Sequence, residues 1–94
     1  MDRLSAMALL VKVTELGSMS AAARALNMPL TTVSRHIGEL ESTLGVRLLL
    51  RTTRKLTLTD AGIDYVAAAR RILEEVDQAE RQAAGEYQQP KGEL

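Results

Sequence analysis

The chain has 94 residues, enough for one small domain and an appendage, and its 46% of hydrophobic residues favours a globular chain over a disordered one. It contains no cysteine, which excludes a disulfide framework and a thiolate metal site. No apolar run approaches the ~20 residues of a membrane span, and the start does not resemble a signal peptide, so we expect no membrane partner and a cytoplasmic location.

The net charge is zero, but the charges are distributed unevenly along the chain. Residues 1–59 hold eight Lys or Arg against four Asp or Glu, a net charge of +4, whereas residues 60–94 hold four against eight, a net charge of −4. Such an asymmetry is a hint of nucleic-acid binding, because the local field near a basic surface matters more for binding than the total charge.

Residues 2–16 predict a first helix. One face at the helical spacing i, i+3, i+4, i+7 is formed by Met7, Leu10, Val11 and Thr14, with Leu4 and Val13 beside it. Gly17 favours a helix end, and either Ser18 or Ser20 is suited to cap the next helix. We interpret this first helix as scaffolding for the core.

Residues 18–45 predict two helices joined by a short turn. Ala21–Leu26 is rich in helix formers, and Pro29 disfavours a helical conformation of the residue before it, so the first of these helices ends there. The second runs from about Leu30 to Leu44, and its spacing predicts one buried stripe of Val33, Ile37, Leu40 and Leu44.

The other face of that second helix carries Thr31, Ser34, Arg35 and Gly38, at i, i+3, i+4 and i+7. Short polar groups allow a helix to approach a surface closely, and the DNA major groove, about 12 Å wide, admits one α-helix. A helix-turn-helix is the interpretation favoured here, and a small helical domain with an ordinary solvated face is the alternative. Because residues 28–30 offer no capping side chain, the first amides are left to Thr31, water or an anion such as phosphate.

Residues 47–59 predict a small two-stranded hairpin, or wing. Leu48–Leu50 is a short apolar run, and Leu56–Thr59 alternates with period two as a half-buried strand does. Between them, residues 51–55 place three cations and two hydroxyls on a short loop, which suits contact with phosphates or reach into a minor groove. A merely solvated basic loop is the alternative.

A long helix is predicted from Thr59, a suitable N-cap, to about Ala84. It has two adjacent apolar seams, of which one docks on the domain and the other suits a second copy of the helix. The alternative is that both seams fold back onto one monomer. The residues predicted at the dimer interface are Tyr65, Ile72, Leu73, Val76, Ala79 and Ala83.

These motifs together resemble the N-terminal DNA-binding domain of LysR-type transcriptional regulators. The resemblance rests on the order and spacing of Met1–Leu4, Glu15–Arg24, Val33–Ile37, Leu40–Glu41, Leu44–Leu49, Arg51–Arg54 and Leu58–Gly62. It implies a mainly α fold, a winged helix-turn-helix with a three-helix core and a small two-stranded wing over residues 1–59. It further implies a linker helix for dimerisation over residues 60–85 and a hinge over residues 86–94, leading to a missing effector-binding domain.

The function that this resemblance implies is sequence-specific binding of double-stranded DNA, as a homodimer on a pseudo-palindromic operator. A tetramer is left open for the full-length parent, and a small-molecule effector would enter only through the missing domain. Leu30 stands where many members have Gln, and Pro29 where many have Ser. The residues expected at the DNA interface are Ser18, Leu30, Thr31, Thr32, Ser34, Arg35, His36, Arg51, Thr53, Arg54 and Lys55.

Two other classes of function are compatible with parts of the sequence. A protein-interaction module would use the long helix to dimerise and the basic hairpin to bind an acidic partner, and salt-sensitive retention by duplex DNA distinguishes it from a regulator. An enzyme lacks support, since the chain has one histidine, His36, and no Gly-rich phosphate loop. We expect His36 to touch DNA backbone or solvent, and we expect no catalytic residue, metal site or cofactor.

Overall fold

The structure is a computed structural model that describes residues 1–51 and 55–85. Its elements, in chain order, are α1 (Arg3–Leu16), α2 (Met19–Leu26), α3 (Leu30–Leu44), β1 (Leu49–Arg51), β2 (Leu56–Leu58) and α4 (Asp60–Ala83). This order confirms the predicted three-helix core, two-stranded wing and long helix. Residues 52–54 of the predicted basic loop and the predicted hinge, 86–94, lie outside the described residues.

Helix α1 is the centre of the core and contacts α2, α3 and α4. It begins one residue later than predicted, because Asp2 is its N-cap and accepts a hydrogen bond from the Ser5 amide at 3.2 Å. Hydrogen bonds from the Ser5 side chain and amide lower the pKa of the Asp2 carboxyl.

The buried face of α1 is rotated from the face that the spacing predicted. Leu9 and Val13 are in the core, whereas Val11 and Thr14 are half-buried and Leu4 is exposed. The spacing predicts a single apolar stripe, whereas contacts with three helices bury a wider part of the surface of α1. The residues of α1 that the core buries are Ala6, Met7, Leu9, Leu10 and Val13.

The break between α1 and α2 is a sharp one. Gly17 takes the left-handed conformation, with φ 81°, and its amide donates to the Val13 carbonyl. Within the described residues, no single helix has the length and apolar character to cross a membrane. Helices α1 and α2 reach that length and apolar character only when they are taken together, and they are bent by 119° at their break.

The turn of the helix-turn-helix depends on two residues. Ser18 caps α2 by accepting from the Ala21 amide at 3.0 Å, which decides between the two serines. Asn27 ends α2 in the left-handed conformation, with φ 57°, a region that Asn tolerates better than most residues. Pro29 follows as the N-cap residue of α3, so the chain reverses over a few residues.

The core is aliphatic, as the sequence composition predicted. Its largest fully buried side chains are Leu10, Val13, Val33, Ile37, Leu48 and Leu49, contributed by α1, α3 and the start of the wing. The predicted α3 stripe is confirmed for Val33, Ile37 and Leu40, while Leu44 is half-buried against the same core. This burial fixes the inner face of α3 and thereby decides which face points outward.

The wing is an antiparallel pair in which Leu49 lies opposite Leu58, and it leads directly into α4. Thr59 caps α4 by accepting from the Gly62 amide at 2.9 Å, as predicted for this residue. Its own amide donates to the Leu48 carbonyl at 3.0 Å, and its hydroxyl donates to the Arg47 carbonyl at 2.7 Å. The first turn of α4 is therefore held against the segment that enters the wing.

The close approach of α4 to this segment requires glycine at position 62, because a Cβ there would overlap the Leu48 carbonyl oxygen. We expect Gly62→Ala to lower the free energy of unfolding by roughly 1–3 kcal/mol, the usual range for overpacking. Urea unfolding followed by circular dichroism at one protein concentration measures the change.

Gly38→Ala is the matched control, since a Cβ at Gly38 would meet no described heavy atom within 4 Å. Its expected effect has the opposite sign, a gain of up to about 1 kcal/mol from helix propensity. A gain in stability from both substitutions would contradict the packing described at Gly62.

Candidate nucleic-acid interface

The outer face of α3 presents the short polar residues that the sequence placed there. Thr31 and Arg35 are exposed, and 60% of the Arg35 side chain is accessible to solvent. Ser34 and Gly38 lie half-buried beside them. Because Arg35 is the one long side chain among these four residues, the backbone of α3 can approach a partner surface closely on this side.

The N-terminus of α3 has no side-chain cap, as residues 28–30 predicted. The amides of Thr32 and Val33 donate instead to the Pro29 carbonyl, at 3.1 and 3.2 Å. Leu30, the first residue of the helix, is exposed, and Thr32 is half-buried. The first turn of α3 is the positive end of its helix dipole. It presents one exposed apolar side chain, Leu30, together with backbone amides.

His36 lies to one side of the outer face of α3. Only 12% of its side chain is accessible, and it shares a shallow groove with Arg3 and Ala6 at the start of α1. Its Nδ1 lies 3.4 Å from Oε1 of Glu39. The second carboxylate oxygen of Glu39, Oε2, lies 3.5 Å from Nη1 of Arg35, so one glutamate bridges the two basic side chains.

The remaining residues expected at the DNA interface lie on α2 and the wing. Ser18 is half-buried and occupied as the cap of α2. Arg51 belongs to β1, and Lys55 is exposed immediately before β2. Thr53 and Arg54 lie outside the described residues. In residues 1–51 and 55–85, no group of three or more His, Asp or Glu side chains is placed to hold a metal ion.

Glu41 joins α3 to the wing. Its carboxylate is buried, and Oε2 accepts hydrogen bonds from the amides of Leu48 at 2.7 Å and Leu49 at 3.0 Å. Arg47 lies nearby, with Nε 3.7 Å from the same oxygen. A buried carboxylate is tolerated when hydrogen bonds and a cation compensate its desolvation, and all of these contacts fall on the segment that starts β1.

Sequence reasoning missed the roles of two glutamates. The hydrogen bonds of Glu41 were not predicted, although the residue lies directly beside the apolar stripe of α3 at Leu40. The ion pair of Glu39 was not predicted either, although it stands four residues after Arg35, the spacing at which opposite charges meet on a helix. That spacing was a usable signal for Glu39, whereas the partners of Glu41 are backbone amides, which no side-chain pattern marks.

Comparison with known proteins identifies the family. Residues 4–63 match the family model described as bacterial regulatory helix-turn-helix protein, lysR family. The chain belongs to the LysR family. This confirms the resemblance that the sequence motifs indicated.

Individual LysR relatives are similar over the whole chain. It is 45% identical over 94 residues to an HTH-type transcriptional repressor of Pseudomonas aeruginosa (strain UCBPP-PA14), and 42% identical over 94 residues to the HTH-type transcriptional activator AaeR of Escherichia coli (strain K12). These matches cover 100% of this chain and 30% of each relative. The fold is similar to the crystal structure of the CbnR_DBD–DNA complex, with a TM-score of 0.84 and 33% identity over 93% of this chain and 99% of that one.

The first half of α4 in this LysR-family chain packs on the core. Val66 and Ala69 are buried, and Tyr65 is half-buried against the same cluster. Arg70 reaches Glu15 on α1, with Nη1 3.7 Å from Oε2. Tyr65, which the sequence assigned to the dimer interface, thus has contacts within the monomer.

The second half of α4 leaves its apolar residues accessible. Ile72 is 39% exposed, Ala79 and Ala83 are exposed, and Leu73 and Val76 are half-buried. Val76, Ala79 and Ala83 follow Ile72 by four, seven and eleven residues, so they share one side of the helix with it, and Leu73 lies next to that side. The structure therefore shows one docked half and one apolar face without a covering helix among the described residues.

The contacts of Glu41 lead to a stability prediction. Glu41→Ala leaves two buried amides without an acceptor, and each such amide costs about 1–3 kcal/mol, so we expect the free energy of unfolding to fall by roughly 2–6 kcal/mol. Glu39→Gln, on the same helix but exposed, is the control and should change it by less than about 0.5 kcal/mol. Equal effects of the two variants in urea unfolding would show that Glu41 does not hold the wing.

Proposed function

We propose that residues 1–59 bind double-stranded DNA sequence-specifically, as the DNA-binding part of a bacterial transcriptional regulator. Helix α3 would enter the major groove, and the wing would lie against neighbouring phosphates or the minor groove. Such a protein would act in the cytoplasm, where bacterial DNA lies. Residues 60–85 would join two copies, and residues 86–94 would form the hinge toward the rest of the regulator.

The observation that carries this proposal is the two-sided construction of α3. Its inner face is locked by Val33, Ile37 and Leu40, and its outer face offers Thr31 and Arg35 to solvent. A rigid inner face gives the outer side chains a defined position, which base recognition requires. Membership of the LysR family supports the same conclusion, as does the similarity of the fold to the crystal structure of the CbnR_DBD–DNA complex.

The dimer is supported by the accessible apolar face of α4. With 24 residues at ~1.5 Å each, α4 is about 36 Å long, which matches the 34–36 Å that separate half-sites one turn of DNA apart. Because Thr59 and Gly62 fix the start of α4 against the wing entry, pairing of two α4 helices would also fix the separation of two α3 helices.

The first functional prediction concerns Arg35. A duplex is first selected from a randomised library with the wild-type protein. Arg35→Ala should then weaken binding to this duplex by about 1–3 kcal/mol, the range for a good base contact, with a smaller loss on a scrambled duplex. Arg71→Ala, an exposed arginine of α4, is the charge-matched control and should leave the ratio of the two affinities unchanged.

Fluorescence anisotropy at one fixed salt concentration measures these affinities, and repeated titrations across salt concentrations give the number of phosphate contacts. Equal losses on both duplexes would assign Arg35 to a phosphate rather than a base. A wild-type protein that selects no sequence and binds no duplex in a salt-dependent manner would contradict the proposed function itself.

The second functional prediction concerns Ile72. Ile72→Asp places a charge in the apolar dimer contact, at a cost of several kcal/mol, and should give a helical monomer at micromolar concentration that no longer binds a full palindrome. Ala67→Asp introduces the same charge at an exposed apolar residue on the other side of α4 and should remain dimeric. Sedimentation equilibrium with far-UV circular dichroism decides the matter, and a monomeric wild type at high concentration would rule out the α4 dimer.

A further inference from the structure

Glu39 is an acidic residue on the side of α3 that the proposed function turns toward DNA. Its side chain is 57% accessible, nearly as much as that of Arg35, and Oε2 lies 3.5 Å from Nη1 of Arg35. An exposed ion pair of this kind contributes little to stability, so folding alone gives no reason for it. The carboxylate is therefore accessible to a partner on the same side as the guanidinium.

The charges of α3 argue against a role in simple attraction to phosphates. Arg35 is its one Lys or Arg, whereas it has two acids, Glu39 and Glu41. Glu41 is buried on the amides of the wing, so the acidic group that faces outward is Glu39. Phosphates repel an exposed carboxylate, and a helix that bound only the DNA backbone would be weakened by it. A base edge with a hydrogen-bond donor would instead receive it.

The major-groove edge of a G·C pair offers a matching pattern. Guanine presents acceptors at O6 and N7, which Arg binds in bidentate fashion, and cytosine presents an N4 amino donor, which Glu accepts. Guanine O6 and cytosine N4 are hydrogen-bonded to each other in the pair and so lie about 3 Å apart. The separation of 3.5 Å between the Arg35 and Glu39 groups is close to this distance.

We propose that Arg35 and Glu39 act as one reading unit for a single G·C base pair, with Arg35 on guanine and Glu39 on the N4 amino group of cytosine. This assignment rests on the proposed function and makes Glu39 a specificity-determining residue. An A·T pair also offers one donor, adenine N6, beside acceptors, but only guanine presents two acceptors on one base for a bidentate arginine, so a G·C pair fits the two side chains best.

His36 lies beside this pair of residues and contacts the carboxylate of Glu39. Its side chain is largely enclosed between α3 and the start of α1, and Nδ1 lies 3.4 Å from Oε1 of Glu39. Oε1 of Glu39 thus contacts His36, while Oε2 contacts Arg35. A carboxylate restrained in this way loses less freedom when it meets a base than an unrestrained one does.

The test is selection from a randomised duplex library with the wild type and with Glu39→Ala, followed by titration on the wild-type-selected and scrambled duplexes. We expect one G·C position of the wild-type motif to be relaxed by Glu39→Ala, with about a tenfold loss of affinity for the wild-type-selected duplex, because the acceptor for cytosine N4 is removed. Affinity for the scrambled duplex should rise severalfold, because one carboxylate no longer repels phosphates. Far-UV circular dichroism confirms that the exposed substitution leaves the fold intact.

Two further variants distinguish the charge of the Glu39 side chain from its length and its position. Glu39→Asp keeps the charge but shortens the side chain, so the same position should relax while scrambled binding stays at the wild-type level. Glu74→Gln removes an exposed carboxylate from α4 and should alter neither the motif nor the ratio of affinities.

The assignment is overturned if Glu39→Ala selects the wild-type motif with the wild-type ratio of affinities while Arg35→Ala loses a guanine position. That result leaves the proposed function intact. A wild-type protein that selects no motif would overturn the proposed function and this assignment together.

Discussion

The carboxylate of Glu41 on the amides of Leu48 and Leu49 is the contact on which the arrangement of this molecule depends. It ties the end of α3 to the entry of the wing. From the other side, Thr59 donates to the carbonyls of Arg47 and Leu48, and Gly62 lies against the Leu48 carbonyl. A three-residue segment thus receives contacts from both α3 and α4. The relative positions of α3, the wing and α4 all follow from these contacts.

This arrangement links recognition to dimer geometry. Helix α4 leaves the wing entry in a fixed direction because its first turn is packed without space for a Cβ at Gly62. Its first half docks on α1 through Val66 and Ala69, and its second half leaves Ile72 accessible. A partner helix on that second half would set the distance between two α3 helices through rigid contacts. Sequence preference would come from α3, and half-site spacing from α4.

Most of the fold was predictable because its signals are periodic or local. The α3 stripe through Val33 and Ile37 and the cap at Thr59 follow from spacing and residue type. Periodicity failed on α1, where contacts with three neighbouring helices bury Leu9 and leave the predicted Val11 and Thr14 only half-buried. It also could not find Glu41, because backbone amides seven and eight residues away leave no mark on a side-chain pattern. The outward face of α3 was predictable, but its pairing with Glu39 needed side-chain geometry.

Amide chemical-shift mapping of the protein during titration with a selected duplex tests whether α3 and the wing form one DNA-binding surface. We expect the largest changes on the first two turns of α3, including Thr31 and Arg35, and on Lys55 beside β2. We expect small changes on the exposed side of α1, at residues such as Ala8. The largest changes on α1, with α3 unaffected, would contradict a DNA-binding surface formed by α3 and the wing.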